Sequence, residues 1–202
     1  NLVKLVTAGY LEGFYYKPRI DRDLLEKYHE GIICLSACLG GEIPQAVMHR
    51  SVDEAEQIVL EYRRIFGDDF YLELMRHRTD DPGMNKLVFD DQVFVNRTLL
   101  QLGEKYEIKC VATNDVHFVN MEDAEAHDHL ICLNTGKDLD DPTRIRYTRQ
   151  EWFKTQEEMK EVFSDLPEVL NTTAEIAEKV ELYELNSHPV MPFFPLPEGF
   201  TD

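Results

Sequence analysis

The sequence of 202 residues predicts an α/β fold with parallel strands. Three short apolar runs have the length of buried strands, and they cover residues 31–37, 69–75 and 108–113. Segments with helical periodicity separate these runs, and this alternation is typical of parallel α/β units. Three strands cannot close a barrel. The sheet is therefore either open or lacks earlier strands, and the start without Met or signal peptide favours a piece of something larger.

The helix between the first two runs carries sequence signals at both ends. Ser51 and Glu54 have the spacing of a capping box, and Gly67 is well placed to end the helix. One helical face is apolar and consists of Ala55, Ile58, Val59 and Tyr62. A second long helix is predicted over residues 85–106.

The chain changes character after about Glu122. The sequence predicts a helix over residues 122–134 ended by Gly136, a polar loop over residues 137–147, and two further helices. The first of these opens at the capping box of Thr155 and runs through Phe163, and the second runs over residues 167–180. Residues 188–197 contain four prolines and are typical of an extended connector.

These patterns divide the chain into three predicted parts. Residues 1–120 form an α/β unit, which the resemblance described below identifies as the C-terminal part of a barrel, residues 121–185 form a helical appendage, and residues 186–202 form an extended connector.

The composition limits the classes of partner. The chain has 39 acidic and 21 basic residues and a net charge of -18, so the segment alone is not expected to bind DNA tightly. No apolar run has the length of a membrane span, and no membrane partner is expected. The four cysteines form no C-x-x-C pair and suggest no disulfides, which fits a reducing cytoplasm.

Groups able to bind a metal follow the apolar runs. Cys38 comes after the first run, and Asp115 and His117 come after the third. The carboxyl ends of parallel strands share one rim, and residues i and i+2 of an extended backbone point to the same side. Asp115 and His117 can therefore converge on one cation, whereas the structural alternatives are a turn aspartate, a capping histidine and a small core cysteine.

Three more residues are candidates for lining such a site, namely Glu73, His77 and Asn114. Glu73 can point into a barrel or out to solvent at a strand edge. His77 can line the site or cap the following loop. The sequence identifies no catalytic residue with certainty.

Several motifs together resemble the PHP domain (polymerase and histidinol phosphatase domain) of bacterial DNA polymerase III alpha subunits. They lie at residues 13–21, 31–42, 71–74, 111–117 and 122–127, and residues 149–163 and 171–172 extend the match over nearly the whole chain.

The resemblance implies a distorted (β/α)7 barrel, here lacking its N-terminal strands, with a metal cluster at its C-terminal rim. Cys38, Asp115 and His117 match the last three ligand positions of that family. The other ligands, including a His-x-His pair, lie upstream in the family and have no counterpart in this sequence. We therefore expect divalent ions such as Zn²⁺, Mn²⁺ or Mg²⁺ to bind an intact site. We expect this segment alone to bind them weakly or not at all.

The resemblance also implies a function for the protein that contains the segment. Such a protein is a DNA-directed DNA polymerase that uses DNA and deoxynucleotides, works with other replisome subunits, and in some members carries metal-dependent 3′–5′ exonuclease activity. The polymerase aspartates of the family lie outside this chain, so the segment alone is expected to be inactive. The alternatives are a free-standing PHP phosphoesterase and a purely structural PHP module.

Overall fold

The computed structural model describes residues 1–184, 186, 188, 189 and 191. Nearly all of the predicted connector over residues 186–202 therefore lies outside the described residues. The helices of the described part are α1 Leu2–Leu11, α2 Arg22–Tyr28, α3 Glu42–His49, α4 Val52–Phe66, α5 Pro82–Met84, α6 Asp90–Tyr106, α7 Ala124–Thr135, α8 Gln156–Val162 and α9 Pro167–Lys179. The strands are β1 Cys34–Leu35, β2 Phe70–Leu74 and β3 Cys110–Ala112.

The three strands form one parallel sheet in the order β1-β2-β3. Cys34 lies opposite Phe70, and Leu72 lies opposite Cys110. The predicted parallel α/β arrangement is confirmed, although each strand is shorter than the apolar run that contains it. The closed barrel and the separate appendage remain predictions.

The capping signals in the sequence correspond to real helix ends. The Ser51 hydroxyl accepts a hydrogen bond from the Glu54 N–H at 3.1 Å, and Gly67 ends α4 with φ 56°. Thr155 and Glu158 cap α8 reciprocally. The long predicted helix over residues 85–106 begins as a π-helical turn, Asn85–Phe89, and continues as α6.

Helices α1, α2 and α3 were not among the elements predicted individually. The α2 helix has a readable signal, since the Asp21 carboxylate accepts a hydrogen bond from the Leu24 N–H at 2.9 Å. By contrast, no side chain caps the start of α1 or α3, so those two helices lack this signal.

The α9 helix packs on β3, and α8 packs against α9. Phe163 and Val169 are buried in the same core as Leu72 and Leu74 of β2. Arg76 adds a polar connection, because its Nη2 donates to Asp165 Oδ2 at 3.0 Å. This packing anchors the segment after β3 to the sheet.

None of the helices in the described part of the chain combines the length and the apolar character that a bilayer crossing requires.

Candidate metal site at the rim of the sheet

The first rim turn brings Cys38 close to the end of β1. The Gly41 N–H donates to the Cys38 carbonyl at 2.8 Å, and α3 starts at the next residue. A Cβ at Gly41 would lie 2.5 Å from the Ser36 carbonyl oxygen, so only glycine fits here without a shift of the backbone. A tight turn therefore follows Cys38 and closes at Gly41.

Glu73 is tied to both neighbouring strands. Its N–H donates to the Ser36 hydroxyl at 2.8 Å, and its Oε1 accepts from the Thr113 hydroxyl at 2.6 Å. Burial raises the pKa of the Glu73 carboxyl, the Thr113 hydrogen bond opposes that rise, and the charge of Asp115 adds to it. The Glu73 side chain is therefore half-buried and does not point freely to solvent. Its carboxylate lies beside Thr113, where the chain leaves β3.

Asp115 and His117 lie on the loop that leaves β3. Asp115 has φ 45°, a conformation that non-glycine residues rarely adopt. The His117 Nδ1 lies 2.6 Å from the Asp115 carbonyl oxygen, and because a carbonyl only accepts, Nδ1 must carry the proton. The Nε2 lone pair of neutral His117 is then available to a ligand, as it is in metal-bound histidines held by a backbone carbonyl.

Residues 148–154, here called the rim strap, hold this loop from the far side. The Asn114 amide donates to the carbonyls of Gln150 at 2.9 Å and Trp152 at 2.8 Å. The His117 N–H donates to the Glu151 carbonyl at 2.8 Å, and the Phe153 N–H donates to the Phe118 carbonyl at 3.0 Å. Asn114 is therefore a support for the loop, because its side chain is used in these bonds and is only 7% exposed.

His77 lies under the rim and is 3% exposed. Its Nε2 is 3.2 Å from the Asn114 carbonyl oxygen, and its Nδ1 is 3.2 Å from Gln92 Nε2. Both contacts are satisfied by neutral imidazole with the proton on Nε2. Burial lowers the pKa of His77, the Glu151 carboxylate opposes that shift, and we take the neutral form as the native one. His77 thus supports the rim from below.

Glu151 is the buried charge of the strap. Its Oε1 accepts from the Thr148 N–H at 3.0 Å and from the Thr148 hydroxyl at 2.6 Å, and it lies 3.7 Å from His77 Nδ1. Within the described residues its Oε2 is buried without a hydrogen-bond partner. An unpaired buried carboxylate oxygen is a typical neighbour of a bound ion or water.

Lys154 closes the other end of the strap. Its Nζ donates to Asn114 Oδ1 at 3.3 Å and lies 3.4 Å from the centre of the Trp152 ring. Burial lowers the pKa of Lys154 to about 8, against the opposing attraction of Glu151 and Glu158. The strap therefore places an ammonium group that titrates near neutral pH next to the loop carrying Asp115.

Tyr147 packs against one of the predicted ligands. Its ring centroid is 4.6 Å from that of His117. Burial raises the pKa of the Tyr147 hydroxyl, and the charges of Asp115, Glu151 and Cys38 raise it further. Because β1 and β3 belong to one parallel sheet, the loops that carry Cys38, Asp115 and His117 leave the same edge of it, which is here called the rim mouth. Among the described residues, however, no three His, Cys, Asp or Glu side chains come close enough to one another to hold a metal ion, and the ligand assignment stays a prediction.

Three of the five non-glycine residues with positive φ in the described part of the chain belong to the loops of this rim or to its strap, and the other two, Tyr16 and Glu107, lie elsewhere. Ala37, Asp115 and Arg149 have φ values of 66°, 45° and 67° without being glycine. Such residues cost about 1–3 kcal/mol each and cluster at functional sites. This observation supports a functional rim independently of any resemblance.

Sequence reasoning missed Tyr147 and the rim strap. Residues 137–147 were assigned only as a polar loop, and residues 148–154 received no element. The role of the strap depends on hydrogen bonds to residues more than thirty positions away, for example from Asn114 to Gln150, and the role of Tyr147 depends on ring contacts with His117 and His127. Neither kind of contact leaves a local periodicity in the sequence. The Thr148–Glu151 contact is the one local signal that was available.

Comparisons with known proteins agree with the motifs. Residues 1–77 match the family model described as PHP domain. A DNA polymerase III subunit alpha from Borreliella burgdorferi is 43% identical over 203 residues, which cover all of this chain. Proteins of the same name from Thermus aquaticus and Campylobacter jejuni are each 40% identical, over 100% and 96% of this chain. The resemblance to DNA polymerase III alpha subunits is therefore confirmed.

The match covers only part of those relatives. This chain spans 17% of the Borreliella protein and 16% of each of the other two.

Proposed function

We propose that this chain is a segment of a bacterial DNA polymerase III alpha subunit and forms the later part of its PHP domain. Similarity over 96–100% of the chain to three proteins of that name supports the proposal. The protein that contains the segment synthesises DNA from deoxynucleotides in the cytoplasm, together with other replisome subunits. The segment itself supports the polymerase and supplies one side of a metal site.

Cys38, Asp115 and His117 are the proposed ligands from this segment. Thiolate, carboxylate and imidazole together suit Zn²⁺ best among the expected ions, because Mg²⁺ and Mn²⁺ prefer oxygen ligands. The unpaired Glu151 Oε2 beside the same mouth also fits a nearby cation. The remaining ligands come, in this proposal, from other parts of the protein.

The proposed reaction at this rim is hydrolysis of a phosphodiester at the 3′ end of DNA. Divalent ions in such a site activate water and stabilise the leaving oxygen. The residues of this chain orient the site: the Asp115 carbonyl holds the proton on His117 Nδ1, and the strap holds the loop. Tyr147 stays a neutral hydroxyl at pH 7, since its pKa is raised, and can donate a hydrogen bond to a phosphate oxygen.

One observation supports the metal site most strongly. The His117 imidazole is exposed, yet its Nδ1 is fixed by a backbone carbonyl at 2.6 Å, which leaves Nε2 ready to bind. Histidines that bind metals show this arrangement, because the second nitrogen needs a partner that fixes the tautomer.

The test uses the whole protein that contains this segment. Wild type and the variants Asp115→Asn and His117→Gln are compared for bound metal by mass spectrometry and for removal of a mismatched 3′ nucleotide. We expect both variants to lose at least tenfold in metal affinity and in cleavage. Asp91→Asn on the exposed surface of α6 is the matched control and should change neither.

Primer extension by the same samples separates the alternatives. If extension is normal and neither metal nor cleavage depends on Asp115 and His117, the domain is a structural module and the metal proposal is wrong. If wild type hydrolyses a small phosphomonoester and extends no primer, the free-standing phosphoesterase is correct instead.

A further inference from the structure

Three aromatic rings meet beside the candidate ligands. His117 lies 4.6 Å from Tyr147 and 5.6 Å from His127 between ring centroids, and His127 lies 5.0 Å from Tyr147. Phe118 packs on the outer side of His127 at 5.2 Å. All four separations fall in the range in which aromatic pairs attract each other.

These rings come from three separate parts of the chain. His117 is on the loop after β3, His127 is on α7, and Tyr147 precedes the rim strap. One hydrogen bond from Nδ1 to the Asp115 carbonyl restrains a single atom of the His117 ring. The contacts with His127 and Tyr147 restrain the plane of the ring. The hydrogen bond and the ring contacts together therefore determine the direction of Nε2.

A salt bridge holds the two supporting rings in place. Arg144 Nη2 donates to Asp128 Oδ2 at 2.9 Å, and the two side chains are only 8% and 16% exposed. Asp128 follows His127 directly, and Arg144 lies three residues before Tyr147. The salt bridge therefore joins α7 to the loop that carries Tyr147, and a pair this well shielded from water is more than a surface contact.

We propose that His127 and Tyr147 are positioning residues that set the plane of the His117 imidazole and direct its Nε2 into the rim mouth. This inference rests on the proposed metal site for its purpose. Its geometry is independent of that site, because the contacts exist within the chain itself. A ligating role for His127 is the competing explanation.

The first experiment measures His117 in this chain of 202 residues by NMR. Long-range ¹H–¹⁵N spectra report which ring nitrogen carries the proton, and nuclear Overhauser effects report the distance to residue 147. Wild type, Tyr147→Phe and His127→Phe should show one tautomer, with the proton on Nδ1. Tyr147→Ala and His127→Ala should show mixed tautomers and weaker Overhauser effects.

The second experiment measures Co²⁺ binding to the whole protein by its visible absorption. Since outer-shell partners of metal ligands contribute about 10–100-fold in affinity, we expect Tyr147→Ala to weaken binding by about tenfold and Tyr147→Phe by less than about twofold. Tyr183→Ala removes an exposed tyrosine elsewhere and serves as the matched control. Circular dichroism excludes loss of fold as the cause.

The outcomes separate this inference from the proposed function. If Tyr147→Ala leaves the His117 tautomer and the Overhauser effects unchanged, the positioning role is wrong, whatever the metal does. If the alanine variants change the tautomer while wild type binds no Co²⁺, positioning is supported and the metal proposal fails. If His127→Phe abolishes Co²⁺ binding without changing the His117 ring, His127 is a ligand and its positioning role is wrong.

Discussion

Replacing Asn114 with alanine removes the side chain that joins the rim loop to the rim strap. The amide donates to the carbonyls of Gln150 and Trp152, and its oxygen accepts from Lys154 at the longer distance of 3.3 Å. A hydrogen bond contributes about 1 kcal/mol net, and a buried partner left unpaired adds to the loss. Two good bonds and one weak bond therefore give an expected loss of about 2–3 kcal/mol in the free energy of unfolding.

Urea denaturation of the chain measures this loss. Trp152 is the single tryptophan and lies in the strap, so its fluorescence reports local release while circular dichroism reports the helices. In Asn114→Ala the fluorescence change should move to lower urea and begin before the loss of helix. Asn171→Ala on the exposed surface of α9 is the matched control, with an expected change within about 0.5 kcal/mol.

The reasoning is refuted if Asn114→Ala and Asn171→Ala have the same stability and the same tryptophan emission. That result would mean that the strap stays in place without the Asn114 side chain, held by its backbone bonds from His117 to Glu151 and from Phe153 to Phe118.

Three further changes test the packing and charge of the fold. Gly41→Ala should destabilise by about 1–3 kcal/mol in urea melts, because the new Cβ lies 2.5 Å from the Ser36 oxygen, whereas Gly40→Ala, whose nearest atom lies at 3.8 Å, should not. Phe163→Ala should cost about 3–5 kcal/mol and keep the fluorescence and dichroism transitions coincident, since its fully buried ring belongs to the core of the sheet; separate transitions would contradict this. The pKa of Lys154 is lowered from 10.5 to about 8 in the folded chain, so between these two pH values the unfolded chain binds more protons than the folded chain. The free energy of unfolding should therefore rise with pH across this window. Urea unfolding measured as a function of pH should show a smaller rise in Lys154→Met.

Local signals explain what the sequence could predict about the fold. The three strands are runs of apolar residues bounded by polar ones. The α4 helix begins at the N-cap Ser51, and α8 begins at the capping box of Thr155 and Glu158. The parallel direction of the three strands could be predicted because helices alternate with them along the chain. The strand lengths could not be predicted, because hydrogen-bond pairing with a neighbour decides where a strand ends, and β1 pairs over only two residues.

The candidate site was predictable only where it follows a strand. Cys38, Asp115 and His117 were chosen for their position after apolar runs, and the structure packs Tyr147 against His117. The joint role of the three residues as ligands stays a prediction. This criterion could not identify Tyr147, His127 and the strap, because none of them follows a strand. The chain reaches the rim again with α7 and the segment after it, and no short sequence pattern indicates that return. The burial of His77 likewise depends on Gln92 from α6.

The distance along the chain between the loop and its strap has a consequence for synthesis. A ribosome completes Asp115 and His117 well before Gln150 and Trp152 emerge, so the newborn loop has no partner for the Asn114 amide. Until the later residues arrive and dock, the Asp115 carbonyl and the rings of His127 and Tyr147 are the contacts that restrain His117. A nascent chain halted before residue 148 should consequently hold this loop less firmly than the complete chain does, because it lacks the bonds to Gln150, Glu151 and Trp152.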